Sequence, residues 1–205
     1  MDERKDFMFS RKDLQRLIIP LIVEQFLSIT IGMADTVMVS VCGEAAVSGV
    51  SLVDAINILM INIFSALATG GAIVSSQYIG REDLGKACEA AKQLVLAVFV
   101  LSTAIGAIFV FGGPQVLGLL YHDIEADVMA SAESYFFLTA LFYPFIALYN
   151  AGAALFRAMG NSKVSMTISI VMNCINIGGN ALFIFGFDMG AAGAALATLI
   201  SRIVG

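Results

Sequence analysis

The stretch LQRLIIPLIVEQFLSITIGMADTVMVSVCG, residues 14–43, decides how this chain folds. It is apolar over more than the roughly 20 residues that a helix needs to cross a bilayer. Two carboxylates, Glu24 and Asp35, lie within it. A charge at membrane depth costs roughly 2.5–3.5 kcal/mol on insertion scales, so it usually faces protein or water and usually has a task. The stretch therefore predicts a transmembrane helix with a functional polar face.

The composition of the whole chain is that of a polytopic membrane protein. Of its 205 residues, 59% are hydrophobic and only 13% are charged, and the mean hydropathy is +0.91. A soluble domain of this size could not cover its surface with so few polar groups. The net charge is -5 and no basic cluster marks a folded face, so nucleic acid is excluded as a partner.

Apolar segments of about the length of a membrane span follow one another along the chain. They predict an all-α fold, with a cytoplasmic amino-terminal segment, 1–13, that is not a cleavable signal peptide, and a transmembrane lobe, 14–205. Pro20 and Pro144 fall inside spans, where each can kink its helix, and Pro114 is expected to start a loop. The predicted spans are residues 14–41, 50–79, 93–112, 128–156, 164–187 and 191–205.

Lys and Arg are confined to alternate connections between these spans. The connections predicted at 42–49, 113–127 and 186–190 contain acidic residues but no Lys or Arg. Such segregation is the positive-inside pattern, and it predicts a multi-pass protein of the plasma (inner) membrane with both termini cytoplasmic. The 11 basic residues are Arg4, Lys5, Arg11, Lys12, Arg16, Arg81, Lys86, Lys92, Arg157, Lys163 and Arg202.

The polar residues of the first span form a stripe. Glu24, Ser28, Gly32 and Asp35 follow one another at intervals of three or four residues, so they share one side of a helix. This side should face the interior of the bundle. For Glu24, a helix-packing hydrogen bond and a functional role are both open, whereas for Asp35 a function is favoured.

The fifth span offers partners for Asp35. Asn173, Asn176 and Asn180 are spaced so that they lie on one helical face, and Thr198 in the sixth span adds a hydroxyl. Amides on one face can simply bond neighbouring helices, at about 0.6 kcal/mol each. Together with a buried carboxylate, however, their oxygens are the hard ligands that suit Na+, or a site where the carboxylate takes a proton.

Other polar residues of the spans have weaker assignments. Asp54 and Glu133 lie near the outer ends of their spans, where solvation suffices to explain them. Tyr149 and Asn150, with Glu24 and Ser28 of the first span, are candidates to line a substrate cavity, although aromatic residues also form interfacial belts. Pro20 is a candidate hinge of the first helix.

No constellation of residues points to an enzyme or to a bound cofactor. Cys42, Cys88 and Cys174 form no CxxC pair, so they are interpreted as small apolar side chains rather than metal ligands or a disulfide. His122, the only histidine, is interpreted as a solvated loop residue. The HExxH, GxSxG and Walker motifs do not occur.

Short motifs of a familiar kind run along nearly the whole chain. They are IPLIVEQ at 19–25, GMADTVMVS at 32–40, GEAAVSGVS at 43–51, SQYIGRED at 76–83, FRAMGNSKVSM at 156–166, and stretches within 173–202. In this order they resemble the amino-terminal half, six of twelve helices, of the multidrug and toxic compound extrusion (MATE) transporters.

The resemblance implies a proton- or sodium-driven exporter of drugs and other amphipathic, often cationic organic compounds. In this family two six-helix lobes surround a central cavity. The amino-terminal cation site of the family would fall on Asp35, Asn176, Asn180 and Thr198. Some branches have an acidic residue where this chain has Asn180, so Asp35 would be the main carboxylate here, and the choice between H+ and Na+ stays open.

The second lobe of the family lies outside these residues. Either the chain is a fragment, which we expect, or two copies pair to rebuild the twelve-helix form. A lipid-linked precursor flippase of the same superfamily is an alternative function, but every Lys and Arg can be assigned to a cytoplasmic edge rather than to a phosphate-binding cavity. A non-transporting membrane protein with an assembly or regulatory role is the other alternative.

Overall fold

The computed structural model describes residues 11–122 and 124–205, and within these ranges the regular structure is helical throughout. The all-α prediction is therefore confirmed. Residues 1–10 of the predicted amino-terminal segment, and Asp123 in the connection predicted at 113–127, lie outside the described residues. The helices are α1 (Arg11–Ser40), α2 (Glu44–Gly80), α3 (Leu84–Leu120), α4 (Ala126–Ala140), α5 (Tyr143–Ala158), α6 (Ser162–Asn180) and α7 (Gly190–Val204), and a π-helical turn (Ala181–Gly186) follows α6 directly.

The helices have the lengths and composition of membrane spans. Four are long and apolar enough to cross a bilayer: α1, α2, α3, and α6 together with its π turn. The pair α4 and α5, bent by 48°, passes the same test of length and composition when its two helices are taken together. The sixth predicted span corresponds to α7, an apolar helix of 15 residues. The chain is a multi-pass membrane protein.

The fourth predicted span, 128–156, is broken into two helices at residues 141–142. Pro144 lies in the first turn of α5 and has no N–H to donate to the carbonyl of Ala140, so the kink predicted there is present. The freed carbonyl faces α3. A Cβ on Gly106 would lie 2.9 Å from the Ala140 oxygen, so only glycine allows α3 to approach the bend this closely.

The prediction that Pro114 starts a loop is wrong. Helix α3 continues through Pro114 to Leu120, well beyond the predicted end of the span at residue 112. Proline removes one backbone hydrogen bond, but the next turn is held by Leu117, whose side chain is fully buried and whose carbonyl accepts a hydrogen bond from Tyr121 N. Packing of the last turn thus outweighs one missing bond.

Helices α2 and α3 also begin earlier than the apolar pattern indicates. Asp83 caps α3 by accepting a hydrogen bond from Lys86 N at 3.1 Å, and this bond lowers the pKa of the Asp83 carboxyl. Each helix has 37 residues and is about 55 Å long, against about 30 Å for the hydrocarbon core of a bilayer. Their ends therefore project into the head groups, which is why charged residues sit on helix rather than in loops.

Helix α2 is the centre of the bundle, and α1 lies at its margin. Helix α2 packs against α3, α4 and α5, around a core that includes the fully buried Phe64, Phe136 and Tyr143. Helix α1 packs chiefly on α6 and exposes large apolar side chains such as Phe26 and Met33. The polar side of α1 is therefore its means of attachment to the bundle.

Candidate functional site

The four residues predicted to bind a cation lie in one hydrogen-bonded chain across three helices. Asn180 Nδ2, on α6, donates to Asp35 Oδ1, on α1. The same nitrogen lies 3.5 Å from Asn176 Oδ1, and Asn176 Nδ2 donates to Thr198 Oγ1, on α7, at 3.0 Å. The polar faces expected from the spacing of these residues therefore meet where α1, α6 and α7 pack together.

One side-chain oxygen of this group, that of Asn180, lacks a hydrogen-bond donor within the described residues. Asn180 is fully buried, and its Oδ1 accepts no hydrogen bond from any residue that the structure describes. A buried acceptor without a partner is costly, and more so beside a carboxylate, unless a positive group approaches both. With the oxygens of Asp35, Asn176 and Thr198 it makes a set of hard ligands that suits Na+ or a proton.

Local features of α6 and α7 bring the amides to the hydroxyl. A Cβ on Gly179, beside Asn180, would lie 2.9 Å from Ala197 Cβ, so the two helices approach closely only because one residue is glycine. The backbone widens into the π turn directly after Asn180. Such turns occur frequently at functional sites, because they redirect the side chains of one helical turn.

Glu24 is bound by donors from two other helices. Its Oε1 accepts from Tyr149 OH at 3.1 Å and from Arg157 Nη1 at 3.4 Å, and its Oε2 accepts from Ser165 Oγ at 2.9 Å. The side chains of Glu24 and Arg157 are 16% and 28% exposed. The helix-packing interpretation of Glu24 thus has direct structural support, and Tyr149 shares its cluster.

Two of these partners were missed in the sequence. Arg157 was assigned to a cytoplasmic connection, yet it lies in the last turn of α5. It is two intervals of four residues beyond Tyr149, which puts both on one face of a helix, and this spacing could have found it. Ser165 gave no signal, because serine is unremarkable near the start of a helix.

The remaining candidates are not brought into these clusters. Ser28 is exposed, and Asn150 is half-buried; neither side chain makes a hydrogen bond among the described residues. Asn173 is buried on the amide face, but its Nδ2 has no partner in the described part of the chain. Pro20 is buried within α1, which continues through it without a break, so its role as a hinge stays a prediction.

Asp54 is not simply solvated at a span end, as the sequence suggested. It is half-buried and its Oδ1 accepts from Tyr135 OH at 3.3 Å and from Asn57 Nδ2 at 3.4 Å. Asn57 Oδ1 accepts in turn from Tyr143 OH at 3.0 Å. This cluster ties α2 to α4 and α5, and it was missed because the partners lie far apart in sequence. Glu133, half-buried on α4, is outside it.

Arg202, which the sequence assigned to a cytoplasmic edge at the end of the sixth span, is less exposed than an edge position suggests. Its side chain is half-buried, and its Nε is buried without a hydrogen-bond partner among the described residues. It lines a cavity of about 260 Å³ with Tyr149, Ser165 and apolar side chains of α5 and α6. The residues next to Arg202 in sequence are apolar. This local pattern does not indicate that the packing of α7 buries part of its side chain.

The other residues considered from the sequence lie apart from these clusters. Cys88, Cys174 and His122 are exposed, and Cys42 is half-buried. In the described ranges no group of three or more His, Cys, Asp or Glu side chains could hold a metal ion. The candidate cation site above has a different composition, one carboxylate with neutral oxygens.

Known proteins resemble this chain along nearly all of its length. It is 31% identical over 190 residues to the uncharacterized transporter YisQ of Bacillus subtilis, a match that covers 91% of this chain and 41% of that protein. It is 27% identical over 202 residues to the probable multidrug resistance protein NorM of Thermotoga maritima, and 23% identical over 194 residues to the multidrug export protein MepA of Staphylococcus saprophyticus. These matches cover 95% and 94% of this chain, but 42% and 43% of the relatives. The chain thus spans less than half the length of these curated relatives.

Solved structures show the same fold. A transporter of the MOP superfamily from Pyrococcus furiosus, described with a binding pocket of reverse polarity, superposes with a TM-score of 0.88 at 22% identity, over 94% of this chain and 42% of that one. An outward-facing multidrug resistance MATE transporter superposes equally well, with the same TM-score, identity and coverage. The MatE family model matches residues 20–182, which confirms the resemblance seen in the motifs: the chain belongs to the MatE family of membrane transporters.

Proposed function

We propose that this chain forms the cation-binding lobe of a cation-coupled antiporter that exports amphipathic or cationic organic compounds. Asp35, Asn176, Asn180 and Thr198 are its cation site, and the coupling ion is H+ or Na+. The observation that carries the proposal is the carboxylate of Asp35 beside the buried, unpartnered Oδ1 of Asn180. Relatives named for multidrug resistance and multidrug export support the direction of transport and the class of substrate.

The site links ion binding to the position of α1. Asp35 is on α1, whereas the other three residues are on α6 and α7, so a cation held by all four draws α1 against those helices. A cation that binds one arrangement of the helices more tightly shifts the protein toward it, and a substrate that prefers the other arrangement opposes the cation. Ion entry and substrate exit are coupled in this way.

The surroundings of the site suggest how the lobe is placed. Lys and Arg lie in or beside one set of connections, at the helix ends that adjoin them, and this pattern orients both ends of this segment toward the cytoplasm. Export in this scheme needs a second lobe, supplied either by further chain or by a second copy. Substrate would pass between the lobes, near the stripe of α1 that carries Glu24 and Ser28 and near Tyr149 and Asn150 of α5.

The test is the Asp35→Asn variant of the full gene product, assayed for ethidium efflux from cells under an imposed Na+ or proton gradient. We expect it to insert into the membrane and to lose ion-driven efflux, because asparagine keeps the shape of the side chain but carries no charge. Asp188→Asn is the matched control: Asp188 is exposed, outside the helices and at a positive φ that asparagine also adopts. Normal efflux in Asp35→Asn would remove the proposed site from the mechanism and would favour a non-transporting role.

A further inference from the structure

Arg202 presents an electrostatic problem in the described part of the lobe. It lies in the last turn of α7, its Nε is buried, and that atom has no hydrogen-bond partner among the described residues. The ion pairs within 4.0 Å in those residues are Lys86 with Asp83 and Arg157 with Glu24, so Arg202 is in neither. A guanidinium keeps its proton at any physiological pH. Burying its charge is costly unless an opposite charge lies nearby.

Two carboxylates of α1 are the candidates for that opposite charge. Glu24 is already occupied by Arg157, Tyr149 and Ser165. Asp35 receives only the neutral amide of Asn180 in the described part of the chain. Of these two carboxylates, Asp35 is therefore the one without a cationic partner among the described residues.

The fold brings Arg202 near Asp35. Thr198, which accepts from Asn176 in the cation site, is one helical turn before Arg202 on the same face of α7, about 6 Å along the axis. Thr198 is in turn joined through Asn176 and Asn180 to Asp35, so Arg202 lies one helical turn from the hydrogen-bonded chain that ends at Asp35. The cavity of about 260 Å³ beside Arg202, which Tyr149 and Ser165 also line, leaves its long side chain room to move.

We propose that Arg202 is the internal counter-ion of Asp35: it balances the carboxylate when the site holds no coupling cation, and it must give way when a cation binds. It is a positioning residue, which sets how firmly the site holds its ion. The inference rests on the proposed cation site at Asp35.

The test is a double-mutant cycle on thermal stability in detergent, with the full gene product in a neutral buffer free of Na+. Asp35→Asn leaves Arg202 without its counter-charge, and Arg202→Met leaves Asp35 without its own, so each should lower Tm. The double variant buries neither charge, and it should recover about half of the summed loss, because two charges that balance each other are coupled. Strictly additive losses would overturn the proposal.

Two further cycles calibrate this result. Glu24→Gln with Arg157→Met breaks an ion pair visible in the structure, and it sets the size of a true coupling. Asp35→Asn with Arg157→Met joins residues of different clusters and should be additive. An Asp35–Arg157 coupling as large as that of Asp35 with Arg202 would also contradict the inference, because it would show a general effect of charge.

Conservative variants cover the case in which Arg202→Met does not fold. Arg202→Lys keeps the charge and should keep Tm near that of the unmodified protein, whereas Arg202→Gln should lower Tm but cause little further loss when Asp35→Asn is present. Equal loss with Lys and Gln would overturn the inference. A failure of the proposed function and a failure of this inference give different results. The first is measured as normal ion-driven efflux by the Asp35→Asn variant. The second is measured as additive losses of Tm, which do not depend on transport.

Discussion

Helix α1 carries two carboxylates on one stripe, and the lobe treats them in opposite ways. Glu24 receives a guanidinium and two hydroxyls, so its charge is balanced within the described residues. Asp35, about three turns farther along, receives a neutral amide whose own oxygen has no partner in that part of the chain. The charge of Glu24 is thus balanced by a direct partner, whereas beside Asp35 the amide oxygen of Asn180 has no partner in the described residues.

The difference shows that depth in an apolar span does not by itself assign a role to a charge. Both residues interrupt the same hydrophobic stretch and face α6, so hydropathy treats them alike. The direct partners make the difference: a carboxylate in contact with a guanidinium fastens helices, whereas one whose direct hydrogen bond comes from a neutral amide can take up a cation. Three variants break or sharpen this contrast.

The largest effect is expected from Asn180→Leu. Leucine has a similar size but removes the amide that donates to Asp35 and the unpartnered oxygen beside it. We expect ion-driven dye efflux to be lost, and stability to fall by about 1–3 kcal/mol because a buried carboxylate is left without its donor. Thermal unfolding in detergent and the efflux assay measure the two effects. Asn62→Leu, at an exposed position of α2, is the control, and efflux that survives Asn180→Leu would contradict the assignment of the site.

An intermediate effect is expected from Gly179→Ala. The added Cβ would lie 2.9 Å from Ala197 Cβ, so α6 and α7 must move apart and the bond between Asn176 and Thr198 must lengthen. We expect efflux to fall several-fold while the protein still inserts. The neighbouring Gly178→Ala places its Cβ in open space and should have little effect. Equal activity of the two variants would show that the close approach of the helices does not matter for transport.

The smallest effect is expected from Glu24→Gln. Glutamine keeps one oxygen that can accept from Tyr149 or Ser165, and its amide nitrogen can donate to the hydroxyl oxygen of the other, so the main loss is the ion pair with a partly exposed Arg157. We expect a loss of stability of about 1 kcal/mol or less, with efflux retained. Thermal unfolding and dye efflux are again the measurements. A loss of efflux as complete as that of Asp35→Asn would erase the contrast between the two ends of α1.

Much of the candidate site could be read from spacing alone. Asp35, Asn176 and Asn180 are polar residues at helical intervals in apolar spans, and such residues turn inward because lipid offers them no partners. Their meeting in the structure is a consequence of that single preference. The partners of Glu24 and Asp54 could not be read in this way, since Ser165 and Tyr135 lie on other helices and carry no distinctive local pattern.

The ends of helices were harder to predict from the sequence. Pro144 broke its span as predicted, but Pro114 did not end α3, although both residues lack the same N–H. The difference lies in the packing of the helical turn after each proline. After Pro114, the side chain of Leu117 is buried and α3 continues. At Pro144, by contrast, α5 is bent by 48° relative to α4 and packs on α2.

The sequence by itself determined that this is a helical membrane protein, and which side of α1 carries its charges, because hydrophobicity, helical period and the segregation of Lys and Arg are properties of the chain. Its short motifs, in their order, indicated the MatE family. Only the tertiary structure decided which donor each charge receives. It gave Arg157 to Glu24, left an oxygen of Asn180 without a partner in the described residues, and buried Arg202 one turn from Thr198. Those outcomes depend on distances of a few ångströms between helices far apart in sequence, which no local pattern encodes.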